Sequence, residues 1–112
     1  MKNEWKRIIA FNDKYFPDWC ENFELIFCSN ALAGEVGEIC NKVKKLYGGG
    51  TNHNKDTIIP YDLLEECVDV FIYMVLLYEQ AGGGTDWESF QYVFNSKMLE
   101  LEKRMTVEEE QS

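Results

Sequence analysis

"VDVFIYMVLLY", residues 68–78, is apolar nearly all the way round if it is drawn as a helix. This stretch decides the fold, because a helix of that kind has to be covered on every side. Its uninterrupted apolar part, residues 70–78, is nine residues long and far too short to cross a bilayer. Three short helices of the same chain offer limited cover. We therefore expect a second subunit, in a homodimer or homotetramer, to supply part of the wall; a central helix wrapped within a monomer is the alternative.

The sequence on either side of this stretch predicts three further helices and no strands. Apolar residues recur at helical spacing, and proline or glycine clusters separate the segments. The predicted helices span roughly residues 3–15, 22–47, 60–81 and 85 onward. This pattern is typical of an all-α four-helix bundle.

The fourth predicted helix carries an apolar stripe that we expect to be buried. Its members are Phe90, Val93, Phe94, Met98 and Leu101. The acidic sequence after them predicts a frayed end. We therefore assign residues 1–106 to a single domain and residues 107–112 to an acidic tail.

Composition limits the classes of function. The chain has 112 residues and a formal net charge of −9, so it has no basic field for nucleic acid or for an anionic membrane surface. Its first residues contain no uninterrupted apolar segment of the kind found in secretory signals. The four cysteines form no C-x-x-C pair, and there is one histidine, which argues against zinc. Reduced thiols in a cytoplasmic protein are the expectation.

Two pairs of carboxylates stand in apolar surroundings. Glu35 and Glu38 lie three residues apart in "ALAGEVGEI", and Glu66 and Asp69 repeat that interval in "LLEECVDVF". Residues three apart share one face of a helix. Antiparallel neighbours would bring the two pairs face to face, where the carboxylates repel one another unless cations neutralise them. The sequence thus predicts a metal centre.

The residue types favour magnesium in that centre. Carboxylate oxygens suit hard cations such as Mg²⁺ or Mn²⁺. A di-iron bundle would need Glu-x-x-His pairs, and the one histidine, His53, falls in a predicted loop. Gly34 and Gly37, which cost helix stability, would let a neighbouring helix or a substrate approach the backbone closely.

With these motifs the chain resembles the MazG-like, all-α nucleoside triphosphate pyrophosphohydrolases. The resemblance rests on "ALAGEVGEICNKVKKL" (31–46) and "LLEECVDVFIYMVLLYEQAG" (63–82), which supply E-x-x-E and E-x-x-D with 27 residues between Glu38 and Glu66. It covers residues 30–104. It implies that Glu35, Glu38, Glu66 and Asp69 bind Mg²⁺, and that water attacks the α-phosphorus of a nucleotide to release the monophosphate and pyrophosphate. One of these acids, or Glu65, would activate the water.

The resemblance also points to substrate contacts. The family tends to carry K-x-x-x-N-x-x-R on its last helix, and this chain has Lys97 and Arg104 at those positions but Leu101 in place of the asparagine. Asn30 and Tyr73 are predicted polar contacts, and Lys45 is a predicted phosphate contact. Lys42 has the same spacing, but a solvated helix end is the favoured interpretation for it. Four aromatic residues are possible stacking partners for the base: Trp5, Phe16, Trp19 and Phe23. The preferred nucleotide stays open.

Three alternatives compete with this hypothesis. A structural helical dimer would explain the apolar third helix but not the four acids. An acidic binding module would use the negative charge, but its acids would lie on exposed faces. A phosphoribosyl-ATP pyrophosphohydrolase would share the bundle and the reaction, although the surrounding sequence resembles that branch less.

Overall fold

The computed structural model describes residues 1–19, 25–46, 61–82 and 87–111, and within these ranges it is helical without strands. The four helices are α1 (Lys2–Tyr15), α2 (Leu25–Leu46), α3 (Tyr61–Gln80) and α4 (Trp87–Gln111). Within the described residues, the predicted all-α class and the four predicted helices are confirmed. No helix in the described ranges is long and apolar enough to span a membrane.

Helices α2 and α3 form the closest pair of the bundle, and they run antiparallel. At one end of the pair, the Cys28 thiol donates a hydrogen bond to Oε1 of Gln80 over 2.9 Å. At the other end, the Lys42 ammonium donates to Oδ2 of Asp62 over 3.1 Å. This orientation places the two carboxylate pairs at the same level of the bundle.

Two apolar clusters hold α1 against this pair. One is built from Trp19, Cys28 and Leu76, with partly buried side chains of α1 and α3 around it. The other surrounds Trp5, whose ring lies 5.6 Å from that of Tyr78 and 4.9 Å from that of Phe90, centroid to centroid. The Trp5 indole also donates a hydrogen bond to Oε1 of Glu79 over 2.9 Å. The Trp5 cluster therefore joins α1, α3 and the first turns of α4.

The predicted burial of the α4 stripe is wrong for the single chain. Phe90 is half-buried within the Trp5 cluster, but Val93, Phe94, Met98 and Leu101 are exposed, and no α4 residue is buried. The ring contacts, hydrogen bond and ion pair of α4 with α1 and α3 involve its first turn, and no other described helix covers the apolar residues that follow. It stays helical to Gln111, through the segment assigned to an acidic tail.

Apolar side chains of the other helices are also exposed. Ile26 and Val36 of α2, and Leu64 and Val68 of α3, each keep between 43% and 67% of their surface in contact with solvent. The radius of gyration, 17.9 Å, exceeds the value of about 13 Å expected for a compact domain of this length. The chain by itself leaves much of its apolar surface uncovered.

Candidate metal centre

Three of the four predicted carboxylates converge between α2 and α3. Glu35 and Glu38 project from successive turns of α2, and Glu66 faces them from α3. One carboxylate oxygen from each of the three lies within 4.8 Å of the other two. Such a group is small enough for a single cation to contact all three side chains.

Two oxygens in this cluster are buried without a hydrogen-bond donor. Oε2 of Glu35 and Oε2 of Glu66 are shielded from solvent, and no described N–H or O–H group reaches either atom. The Glu66 side chain as a whole keeps 14% of its surface exposed, whereas Glu38 lies on the exposed side. Because a buried carboxylate oxygen without a donor is costly, the site requires a proton or a cation.

The proton balance of the cluster reflects this requirement. A hydrogen bond to Glu66, then burial and the negative charges of Glu66, Asp69 and Glu38, raise the pKa of Glu35 to about 7. The same hydrogen bond from Glu35, together with Lys42, lowers the pKa of Glu66. Below about pH 7 the metal-free protein therefore holds a proton between the two carboxylates, where a bound cation would replace it.

Asp69, the fourth predicted ligand, lies beside the cluster rather than in it. It is half-buried on α3, three residues after Glu66, and its charge contributes to the raised pKa of Glu35. Its oxygens are not among those that converge within 4.8 Å. The described residues thus bring together a group of three, with Asp69 as its neighbour.

The expectation that Lys42 lies at a solvated helix end is wrong. Its ammonium lies 3.1 Å from Oδ2 of Asp62 and 3.2 Å from Oε1 of Glu66, and its side chain is 28% exposed. It is thus engaged with the acidic cluster, not part of a solvated helix end. The signal was present in the sequence: Lys42 follows Glu38 by four residues and Glu35 by seven, so all three share one helix face.

The structure does not bring the other predicted cationic contacts to the cluster. Lys97 and Arg104 both pair with Glu100, at 3.5 Å and 3.1 Å, on the exposed surface of α4. Lys45 is exposed at the end of α2. Within one chain, therefore, Lys42 is the cation that the described structure places against the acids.

The polar and aromatic residues predicted to contact the substrate do not lie together in the structure. Asn30 is exposed on α2, and Tyr73 is half-buried against the core cluster. Trp5 and Trp19 are buried core residues, which removes them as stacking partners for a base. Phe16 is half-exposed, and Phe23 lies outside the described residues.

An apolar groove of about 950 Å³ lies between α1, α2 and α3. Phe11, Phe16 and Phe27 line one part of it, and Phe71 and Tyr73 line another. Tyr73 follows Asp69 by four residues, one turn along α3, but none of the four acids lines the groove. The groove is large enough for a drug-sized ligand.

The two helix glycines face open space. A Cβ atom added to Gly34 or Gly37 would meet no heavy atom within 4 Å. Among the described residues, no neighbouring helix uses the room that these glycines leave. That room stays accessible to a substrate or to another chain.

Comparisons of this chain with known protein families, with curated proteins and with solved structures found no match. The site is thus defined by its own geometry: a carboxylate cluster between two antiparallel helices, with one lysine against it. The apolar groove shares α2 and α3 with it.

Proposed function

We propose that this protein is a Mg²⁺-dependent nucleoside triphosphate pyrophosphohydrolase of the MazG-like type, acting in the cytoplasm. The observation that carries the proposal is the pair of buried oxygens, Oε2 of Glu35 and Oε2 of Glu66, that no described N–H group reaches, within a cluster that also includes Glu38. A structural protein would gain little from such an arrangement, because the two carboxylates are stable together only while they hold a proton, which is lost as the pH rises through about 7, or a cation.

The donor set fits a hard divalent cation. All three converging side chains offer carboxylate oxygens and none offers sulfur or nitrogen, which suits Mg²⁺ and admits Mn²⁺. Glu35, Glu38 and Glu66 would hold the ion, with Asp69 available beside them. When bound, the ion would neutralise charge on phosphate oxygens and acidify water.

The chain's own residues then have distinct tasks. Glu35 and Glu66 give up the proton that they share in the metal-free protein. Water adds to the α-phosphorus of the nucleotide, the bond from that phosphorus to the bridging oxygen breaks, and pyrophosphate leaves. A carboxylate of the cluster, or Glu65 on the adjacent exposed face of α3, accepts the proton of the attacking water.

Substrate recognition uses the surroundings of the cluster. Lys45 is exposed two helical turns beyond Glu38, where it would contact a phosphate, while Asn30 lies at the other side of the cluster along α2, where it would contact another part of the nucleotide, and the groove beside Tyr73 would receive the nucleoside. Lys97 and Arg104 are directed away from the cluster of their own chain by their pairing with Glu100. In this proposal they reach a substrate only from a second subunit.

A homodimer or homotetramer completes the proposal. The single chain exposes 8636 Å² of surface, whereas about 6,400 Å² is expected for a compact protein of this mass. The excess, on the order of 2,000 Å² per chain, is comparable to what an obligate homodimer buries. The exposed apolar residues of α2, α3 and α4 are the surface to be covered. Sedimentation equilibrium of the purified protein should show an oligomer at micromolar concentration, and a monomer there would refute this part.

The decisive experiment is a nucleotide panel. Purified protein is incubated with ribonucleoside and deoxyribonucleoside triphosphates and with phosphoribosyl-ATP, in Mg²⁺ and in EDTA, and the products are separated by ion exchange. Monophosphate plus pyrophosphate in Mg²⁺ alone is the expected result. Diphosphate plus phosphate would move the attack to another phosphorus and refute the proposal. Turnover of phosphoribosyl-ATP alone would assign the chain to that related activity.

Variants tie the activity to the cluster. Glu38→Gln should abolish turnover and leave the fold intact, because Glu38 is exposed and its loss reduces repulsion among the acids. Glu102→Gln, on the exposed surface of α4, is the matched control for the loss of one negative charge. Full activity of Glu38→Gln would show that the cluster is not the active site. No hydrolysis by the wild-type protein would favour the acidic binding or structural protein.

A further inference from the structure

Lys42 occupies a defined place in the row of charges between α2 and α3. In chain order, α2 presents Glu35, Glu38 and Lys42 to α3, which presents Glu66 and, one turn earlier, Asp62. The ammonium of Lys42 bridges Asp62 and Glu66 at 3.1 Å and 3.2 Å. It contacts Oε1 of Glu66, whereas Oε2 of the same carboxylate is the buried oxygen without a donor.

We propose that Lys42 is a positioning residue of the metal centre: anchored on Asp62, it fixes the Glu66 carboxylate so that Oε2 is presented to the cation together with Glu35 and Glu38. This inference rests on the proposed metal-dependent function. It adds an orienting contact outside the ligand set, of the kind that tunes the affinity of metal sites.

The environment of Lys42 separates it from the surface ion pairs of the chain. The contact that distinguishes Lys42 is the one with Glu66: their side chains are 28% and 14% exposed, whereas Asp62 is 61% exposed and Lys97 and Glu100 are both 58% exposed. Exposed pairs are screened by water and orient their partners weakly. The hydrogen bonds of a half-buried ammonium to two carboxylates restrict the rotamers of all three side chains.

Charge and geometry make opposite predictions for the removal of Lys42. An ammonium beside the acids repels a divalent cation, so charge alone predicts that a neutral residue at position 42 tightens cation binding. If Lys42 positions Glu66, the neutral residue instead frees that carboxylate and weakens binding. The sign of the change in affinity therefore tests the proposal.

The experiment is a titration of the metal-free, full-length protein with Mn²⁺, in which free Mn²⁺ is measured by electron paramagnetic resonance without any nucleotide. Lys42→Met keeps the aliphatic stem and removes the charge; it should bind Mn²⁺ about tenfold more weakly than wild type. Lys42→Arg, which can donate to both carboxylates, should recover most of the lost affinity. Lys44→Met, an exposed α2 lysine on another face, controls for net charge and should not weaken binding.

Each outcome of the titration has a distinct meaning. Unchanged or tighter binding by Lys42→Met overturns the positioning role, and if Glu38→Gln still abolishes Mn²⁺ binding, the metal centre stands without it. Wild-type protein that binds no Mn²⁺ refutes both the positioning role and the proposed function. If thermal melts show that Lys42→Met is unfolded, Lys42→Ala carries the same test, since it removes both the charge and the N–H donors while favouring the helix, and weaker binding is again required.

Discussion

The proton held between Glu35 and Glu66 makes the stability of the metal-free protein depend on pH. The folded-state pKa of Glu35 is about 7, against an ordinary value of 4.5. A carboxyl group whose pKa is raised on folding stabilises the fold fully below its ordinary pKa, and this contribution is lost as the pH rises through the folded-state value. The free energy of unfolding should therefore fall between pH 4.5 and about pH 7.

The size of this effect follows from the pKa difference. At about 1.4 kcal/mol per pH unit, the interval from 4.5 to about 7 corresponds to an upper limit of about 3 kcal/mol. Glu35 is half-buried, so water screens part of its interaction with Glu66. We expect a loss of about 1–2 kcal/mol, a measurable share of the stability of a small domain.

Glu35→Gln isolates this contribution. The amide resembles the protonated acid in shape and can donate an N–H to Glu66, but it does not ionise. In EDTA, the variant should match wild type near about pH 5 and exceed it by about 1–2 kcal/mol near about pH 8. Urea denaturation followed by circular dichroism at both pH values measures the difference.

A charge-matched variant on α4 serves as the control for Glu35→Gln. Glu102→Gln removes an exposed carboxylate of α4 and should stay within about 0.5 kcal/mol of wild type at both pH values. If wild type and Glu35→Gln lose stability equally between the two pH values, the shared proton is not on Glu35. Glu66 does not confuse this measurement. Because its pKa is lowered, its contribution to stability is lost only as the pH falls below the range that is measured.

Two further predictions concern the fold itself. Trp5 is 1% exposed and packs on three aromatic rings, so Trp5→Ala should destabilise the protein by about 3–5 kcal/mol in urea denaturation; a cost below about 1 kcal/mol would show that the Trp5 cluster is not a core. Gly37→Ala should stabilise the metal-free protein by about 1 kcal/mol, because an added Cβ meets no atom within 4 Å and alanine favours the helix. A destabilised Gly37→Ala variant would mean that another subunit packs against that backbone.

Local spacing was sufficient to predict the helices and the carboxylate pairs. Residues three and four apart share a helix face whatever surrounds the helix, so Glu35 and Glu38 had to project together. The antiparallel order of α2 and α3 then brought Glu66 to them, as the acidic pairs in apolar sequence predicted. The same rule predicts that Lys42 and Glu38 share a helix face. It cannot indicate that Asp62 and Glu66 of α3 lie opposite Lys42.

Contacts between helices were decided only by the tertiary structure. The apolar periodicity of α4 predicted which residues share a face, but periodicity does not specify whether another element covers that face, and within one chain it is exposed. From the sequence, Trp5 could have stacked on a ligand or filled the core. In the structure it is a core residue, because Tyr78 and Phe90, which are distant in sequence, pack against it. The sequence by itself determined faces and spacings, because these follow from backbone geometry. Which faces meet depends on how all the helices pack together. The burial of Glu35 and its raised pKa depend on the same packing.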